Sequence, residues 1–238
     1  MKKLLYLVHR LPYPPNKGDK ISSNNMLNYF SANWRIHLGT FVDDPDDWQH
    51  VEHVRAKCEE SCIVSLPRIQ RITGSIRGLA TNASLSLSYY ASGKLQRWVR
   101  DNVARERPDA VLIYSGVMGR FVRGVLPEDV PVVFDAEDVD SEKWRSYSAA
   151  KPWPLSWLYR READRLLSYE RDMAAHTDVS IFVSPEEAAL FKKLAPESAD
   201  KTHFRTQGVD SAFFDPSLVY QNPYAANQKV LVFTGAMD

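Results

Sequence analysis

Leu4-Leu5-Tyr6-Leu7-Val8 is an unbroken apolar run close to the start of the chain, followed at once by His9-Arg10. A strand with one wet face alternates apolar and polar residues. An unbroken run is buried on both faces, as in a parallel sheet covered by helices. The same five residues invite comparison with a signal peptide, but the run is too short and no small-residue cleavage site follows. It therefore reads as a first strand. Outward from it, residues 36–42, 62–66, 110–114, 131–134, 179–183 and 201–206 read as further strands. Helical patterns fill the intervals at 22–34, 48–58, 94–105 and 159–175. Another helix opens at Ser184-Pro185-Glu186-Glu187, with Ser as cap, Pro in the first turn and acids behind it. The alternation predicts an α/β, Rossmann-like, doubly wound and mostly parallel sheet of six or seven strands.

Composition narrows the function. The 238 residues carry 30 Lys and Arg against 30 Asp and Glu, so the formal charge is zero. No cationic excess exists to bind nucleic acid by counterion release. The hydrophobic fraction of 44% suffices for a real core. No apolar run approaches the roughly 18 residues of a membrane span. Cys58 and Cys62 give no disulfide framework, and the expected location is the cytoplasm. Residues 1–225 are expected to form one domain. The Pro- and Asn-bearing stretch at 215–227 reads as a linker and residues 230–233 as a new buried strand. The expectation is an N-terminal part of a longer protein, with 226–238 opening a second domain.

Two loops carry chemistry. In Pro14-Pro15-Asn16-Lys17-Gly18-Asp19 a strand gives way to a helix through a glycine. Glycine lets backbone N–H groups approach a ligand, and a helix N-terminus favours anions. Phosphate or acceptor contact through these amides and Lys17 or Lys20 is one reading; a plain tight turn is the other. The second loop is Asp135-Ala136-Glu137-Asp138-Val139-Asp140, four carboxylates in six residues at the end of a buried strand. Such ends line the ligand crevice of a parallel sheet. A carboxylate there can orient a hydroxyl and accept its proton; the alternative is helix capping by Asp140 or Ser141. Asp138-Val139-Asp140 also fits the short D-x-D metal pattern, which any acidic turn supplies. Arg205 faces either a phosphate or a surface carboxylate. His9 reads as a packed strand-end residue. His50 and His53 lack a third ligand, and Cys58 and Cys62 read as buried thiols. Two stretches combine aromatic or aliphatic with basic residues, which suits a bilayer interface: 68–77, and Trp153, Trp157, Leu158 and Tyr159 with Lys151, Arg160 and Arg161.

Four stretches resemble the N-terminal half of a GT-B glycosyltransferase of the family-4 type, and more narrowly the sugar transferases of exopolysaccharide and PEP-CTERM/exosortase systems. They are Arg10-Leu-Pro-Tyr-Pro-Pro-Asn-Lys-Gly-Asp-Lys-Ile21, Val133-Phe-Asp-Ala-Glu-Asp-Val-Asp-Ser-Glu-Lys-Trp144, the stretch from Tyr159 to Glu170 leading to Val183-Ser184-Pro185-Glu186-Glu187, and Gln207-Gly-Val-Asp210 with Phe214 and Pro216. Gln207 stands where Asn is usual, and Ser22 where relatives often carry Arg. The resemblance implies sugar transfer from a nucleotide sugar to a saccharide or lipid-linked acceptor, without a bound metal. It implies no cofactor held by this domain and a donor held by a C-terminal domain, and its lipid-linked acceptors add some weight to a peripheral contact of the two aromatic and basic stretches with the membrane. The residues it puts at the cleft are Asn16, Lys17, Gly18, Asp19, Lys20, Arg205, Gly208 and Asp210 for substrate, and Asp135, Glu137 and Asp138 for catalysis. The rival reading is a non-catalytic Rossmann-like ligand-binding module. A dinucleotide oxidoreductase would need a G-x-G-x-x-G turn after the first strand, and the sequence has none.

Overall fold

A computed structural model of the chain describes residues 1–66, 78, 79, 81, 83–212, 214–219, 221, 223–225 and 227–232. The basic and isoleucine-rich stretch at 68–77 lies outside them, as does position 233. Seven strands form one sheet in the order β3-β2-β1-β4-β5-β6-β7. They are β1 (Lys2–Val8), β2 (Trp34–Val42), β3 (Glu60–Ser65), β4 (Ala110–Tyr114), β5 (Val132–Glu137), β6 (Val179–Phe182) and β7 (Thr202–Phe204). Every neighbouring pair is parallel.

The opening run behaves as its pattern requires. Leu5 and Leu7 join the core on one face of the sheet, while Leu4, Tyr6 and Val8 join the core on the other. α1 (Gly18–Ser31) and α2 (Val51–Arg55) cover the second face through Leu27, Val51 and Val54. α4 (Gly93–Glu106), α6 (Leu155–Ala175) and α7 (Pro185–Leu194) cover the first through residues such as Val99, Met173 and Phe191. The short α3 (Leu85–Tyr89) and α5 (Asp140–Ala150) complete the helices used below.

Helix ends differ from the pattern in instructive ways. α1 begins at Gly18 rather than at residue 22, with Lys17 extended before it and Asp19 in its first turn, where a carboxylate suits the helix dipole. Its expected tail is taken by β2, where Trp34 and Arg35 pair with Lys2 and Lys3. The acidic turn after β2 opens a 3-10 helix (Pro45–His50), with the Asp44 side chain accepting from the Asp46 N–H at 3.1 Å. Ser184 caps α7 as its sequence requires, accepting from the Glu187 N–H at 3.2 Å.

The chain forms two compact units, Met1–Gln207 and Gly208–Asp238. The sheet lies wholly in the first. In the second, Asp210 closes a turn by accepting from the Ala212 N–H at 3.1 Å, and Asp215 does the same for Ser217 at 2.8 Å. No strand forms at 230–232. Among the described residues no helix is long and apolar enough to cross a membrane.

Candidate active site

The chain order sets where a ligand fits. β1 continues to β2 and β3 on one side, and the chain then crosses to β4 on the other. The crevice outside the carboxyl ends of β1 and β4 is therefore the switch point where open parallel sheets bind ligands. A cleft of about 600 Å³ lies there, lined by His9 after β1, Ser115 after β4, Glu137 and Asp138 from the end of β5, and Val183 after β6. That size suits a small-molecule ligand.

Two neighbouring residues at its floor have strained backbones. Ser115 has φ of 74° and Glu137 has φ of 66°. Neither is glycine, so each such conformation costs on the order of 1–3 kcal/mol unless its surroundings impose it. At Glu137 the surroundings do so. β5 slips against β6 there, Asp135 pairing with Ile181 and Glu137 with Phe182, so Ala136 is an inserted residue. A bulge of this kind re-aims the side chain that follows it. The Ser115 N–H donates to the Asp135 carbonyl at 2.8 Å, and the Val183 N–H to the Glu137 carbonyl at 2.6 Å.

The bulge separates the acids. Asp135 turns inward, buried, and accepts from the Arg205 guanidinium at 2.9 Å. Arg205 also donates to the Ser22 hydroxyl at 3.1 Å. Burial raises the Asp135 pKa, and the arginine opposes that rise. Glu137 instead lines the cleft and meets the Tyr114 hydroxyl. Burial, seconded by the charges of Asp135, Asp19 and Asp138, pushes its pKa up to about 7, although the Tyr114 hydrogen bond works the other way. Tyr114 has a single proton to give, and its oxygen also lies 3.1 Å from the Asp19 carbonyl oxygen. It donates to Glu137 when that carboxyl is ionised. When Glu137 is protonated, Glu137 can donate and Tyr114 can turn to Asp19. Asp138 is exposed at the rim.

Helix capping does not use up these carboxylates. α5 begins after Val139 with no cap from its own N-cap side chain. Glu170 of α6 accepts from the Ser141 N–H at 3.0 Å and from the Ser141 hydroxyl at 2.5 Å. Glu187 of α7 accepts from the Val139 N–H at 2.7 Å. The acids that hold the helix start therefore come from 29 and 48 residues away, and Glu137, Asp138 and Asp140 are left to line the cleft. Burial pushes Glu170, like Glu137, up to about 7.

The loop after β1 divides its residues. Gly18 and Asp19 line the cleft. Asp19 sits 3.2 Å from His9 Nε2 and 3.0 Å from Arg10 Nη1. Burial alone would raise its carboxyl, but His9 and Arg10 outweigh that and hold it well below the usual range. Lys20 goes elsewhere, its ammonium buried against Asp47 at 2.6 Å. Asn16 and Lys17 are exposed and do not line the cleft, whereas Gln207 does. Gly208 and Asp210 belong to the second unit. His9 is the cleft residue with the faintest sequence signal. It is buried, its ring stacks on Tyr114 at 6.2 Å between centroids, and its Nδ1 has no hydrogen-bond partner among the described residues. Its place directly after an apolar strand was the one available clue. Among the described residues no group of three His, Cys, Asp or Glu side chains is arranged to hold a metal ion.

The cleft is acidic. Asp19, Glu137, Asp138 and Asp140 face it with His9, Arg10 and Lys143, and Arg10 is already paired with Asp19 and Asp43. Trp144 and Tyr147 of α5 add an aromatic wall. Carboxylates and rings together suit a neutral, hydroxyl-bearing ligand better than a phosphate.

The buried Glu170 gives a stability prediction. Its pKa is near 7 in the folded chain against 4.5 ordinarily. The folded state therefore holds the proton more tightly than the unfolded one, and this contribution is lost as pH rises through about 7. Glu170→Gln never ionises. Its stability relative to the unmodified chain should rise by about 2.5 kcal/mol between pH 5 and 8, or roughly 5–10 °C in melting temperature. Thermal melts across that range check it; a difference independent of pH would contradict it.

No protein-family model matches the chain, and no curated protein matches it in sequence. Among solved structures it is similar to the N-terminal domain of trehalose-6-phosphate phosphatase from Candida albicans, at 16% identity and a TM-score of 0.44, over 82% of this chain and 43% of that one. It is also similar to UGT73P12 from Glycyrrhiza uralensis, solved with glycyrrhetinic acid 3-O-monoglucuronide, at 14% identity and a TM-score of 0.46, over 91% of this chain and 51% of that one. The chain spans about half the length of these solved structures.

Proposed function

We propose that this chain is the acceptor-side half of a GT-B glycosyltransferase, acting in exopolysaccharide or cell-surface glycan synthesis at the cytoplasmic face of the membrane. The observation that carries the reading is Glu137: a carboxyl on a strained bulge, facing a cleft at the switch point, with a pKa near 7. A general base works best when its pKa lies near the working pH. Glu137 takes the proton of an acceptor hydroxyl as the oxygen bonds to the donor sugar and the nucleoside diphosphate leaves. Asp138 at the rim orients the acceptor, Trp144 and Tyr147 flank it, and Asp19 and Arg205 hold the loops around them. Residues 1–225 supply this half. Residues 226–238 are the linker and opening segment of a C-terminal domain that grips the nucleotide sugar.

The acidity of the cleft supports the division of labour, because a diphosphate would be repelled from it. Calorimetry of this chain with nucleotide sugars should accordingly show weak binding or none; submicromolar affinity for any of them contradicts the reading. For the protein that joins this chain to the donor domain, acceptor-dependent release of nucleoside diphosphate from at least one of a panel of nucleotide sugars is expected. Release from none of them overturns the proposal.

A further inference from the structure

The turn between α5 and α6 has a composition unlike the rest of the chain. From Lys143 to Arg161 it carries five cationic side chains (Lys143, Arg145, Lys151, Arg160 and Arg161) and no Asp or Glu, although the whole chain is neutral. Its apolar residues are not packed away. Trp153 is 80% exposed, Trp157 57%, Tyr147 46% and Leu155 42%. Residues 151–155 are all exposed in succession. A soluble surface seldom gathers large apolar side chains in this way without a partner for them.

The packing beneath is firm. Trp144 of α5 lies edge-on to Tyr159 of α6 at 5.3 Å between ring centroids, and Tyr147 lies 6.4 Å from the same ring. Arg161 donates to the Gly78 and Ala83 carbonyls, and Arg145 pairs with Glu142 and Asp164. Lys151 and Arg160 stay exposed beside the tryptophans. The helices therefore present the tip as a fixed element with exposed indoles and two outward cations.

We infer that this α5–α6 corner docks on an anionic bilayer surface, with Trp153 and Trp157 in the headgroup region and Lys151 and Arg160 against anionic lipid. Indole rings settle at the polar boundary of a bilayer. Each Lys or Arg near an anionic leaflet adds about a fivefold gain in binding. The charge of the corner selects the occupant: a basic, aromatic tip matches anionic lipid, and nothing in it matches a basic partner. The tip is also close to the cleft. Tyr147 lines the cleft, and Ala150, the last residue of α5, is about 5 Å further along the helix. Docking here sets the cleft mouth beside the membrane. The inference stands on the corner alone and survives if the transfer reading fails.

Cosedimentation tests it. The chain should partition onto vesicles of mixed phosphatidylcholine and phosphatidylglycerol, and much less onto phosphatidylcholine alone. Lys151→Gln with Arg160→Gln should lower binding about 30-fold. Trp153→Ala with Trp157→Ala should lower it on the order of a hundredfold, with melting temperatures unchanged because both rings are exposed. No binding to anionic vesicles overturns the inference, as does binding that both double variants retain. Self-association of the chain that the tryptophan variant abolishes, without vesicle binding, would show that a second copy covers the corner instead.

Discussion

In the protein that joins this chain to the proposed donor domain, Glu137→Gln should lower transfer turnover by about 10²–10⁴-fold, the range expected when a general base is removed, while the melting temperature at neutral pH is held or raised. The fold does not need the charge: burial already disfavours it, and the Tyr114 hydroxyl can donate to the amide oxygen as to the carboxylate. The strained backbone at Glu137 is set by the β5–β6 slip and not by the carboxyl. Asp138→Asn should have a smaller effect on turnover and a larger one on the acceptor's KM, since Asp138 is exposed at the rim and its proposed role is to orient the acceptor. Steady-state kinetics of the two variants separates the roles. Near-normal turnover in Glu137→Gln, with a normal melting temperature, removes Glu137 from the reaction.

The second large effect is structural. Lys20→Ala should destabilise the chain by about 3–5 kcal/mol, because it strands the buried Asp47 carboxylate without its partner. The melting temperature should fall by roughly 10 °C or more. Replacing both members, Lys20→Met with Asp47→Leu, should recover most of that loss, since a buried pair is often matched by apolar packing. A lysine that held substrate phosphate would behave otherwise: Lys20→Ala would melt normally and lose affinity. Differential scanning calorimetry of the single and double variants distinguishes the two.

The sheet was readable because its evidence is local. Unbroken apolar runs at 4–8 and 110–114 are each sufficient to signal a strand buried on both faces, and Ser184-Pro185-Glu186-Glu187 contains every group needed to start α7. Boundaries were harder where two signals overlapped. Trp34 continues the apolar pattern of α1, yet it opens β2, where it pairs with Lys2 of β1.

The cleft was legible only in outline. The acidic run could be placed at a strand end, which puts it on the rim of a parallel sheet. Which acid faces the ligand depends on one inserted residue, Ala136, and a bulge has no signature in a single sequence. The partners of these groups are equally remote: Asp135 meets Arg205 70 residues on, and Lys20 meets Asp47 27 residues on. Burial and capping through such pairs decide which charged side chains are spent on structure. Sequence spacing cannot show that α5 is capped by Glu170 and Glu187, and so cannot show that the acids beside it are spared.

The proposed role of Glu137 requires a cleft-facing carboxyl poised near neutrality. Carbon-13 NMR titration of its side-chain carboxyl in this chain, assigned through Glu137→Gln, measures that directly. The expected midpoint is about 7. A midpoint near the ordinary 4.5 would show a solvated carboxylate and contradict it.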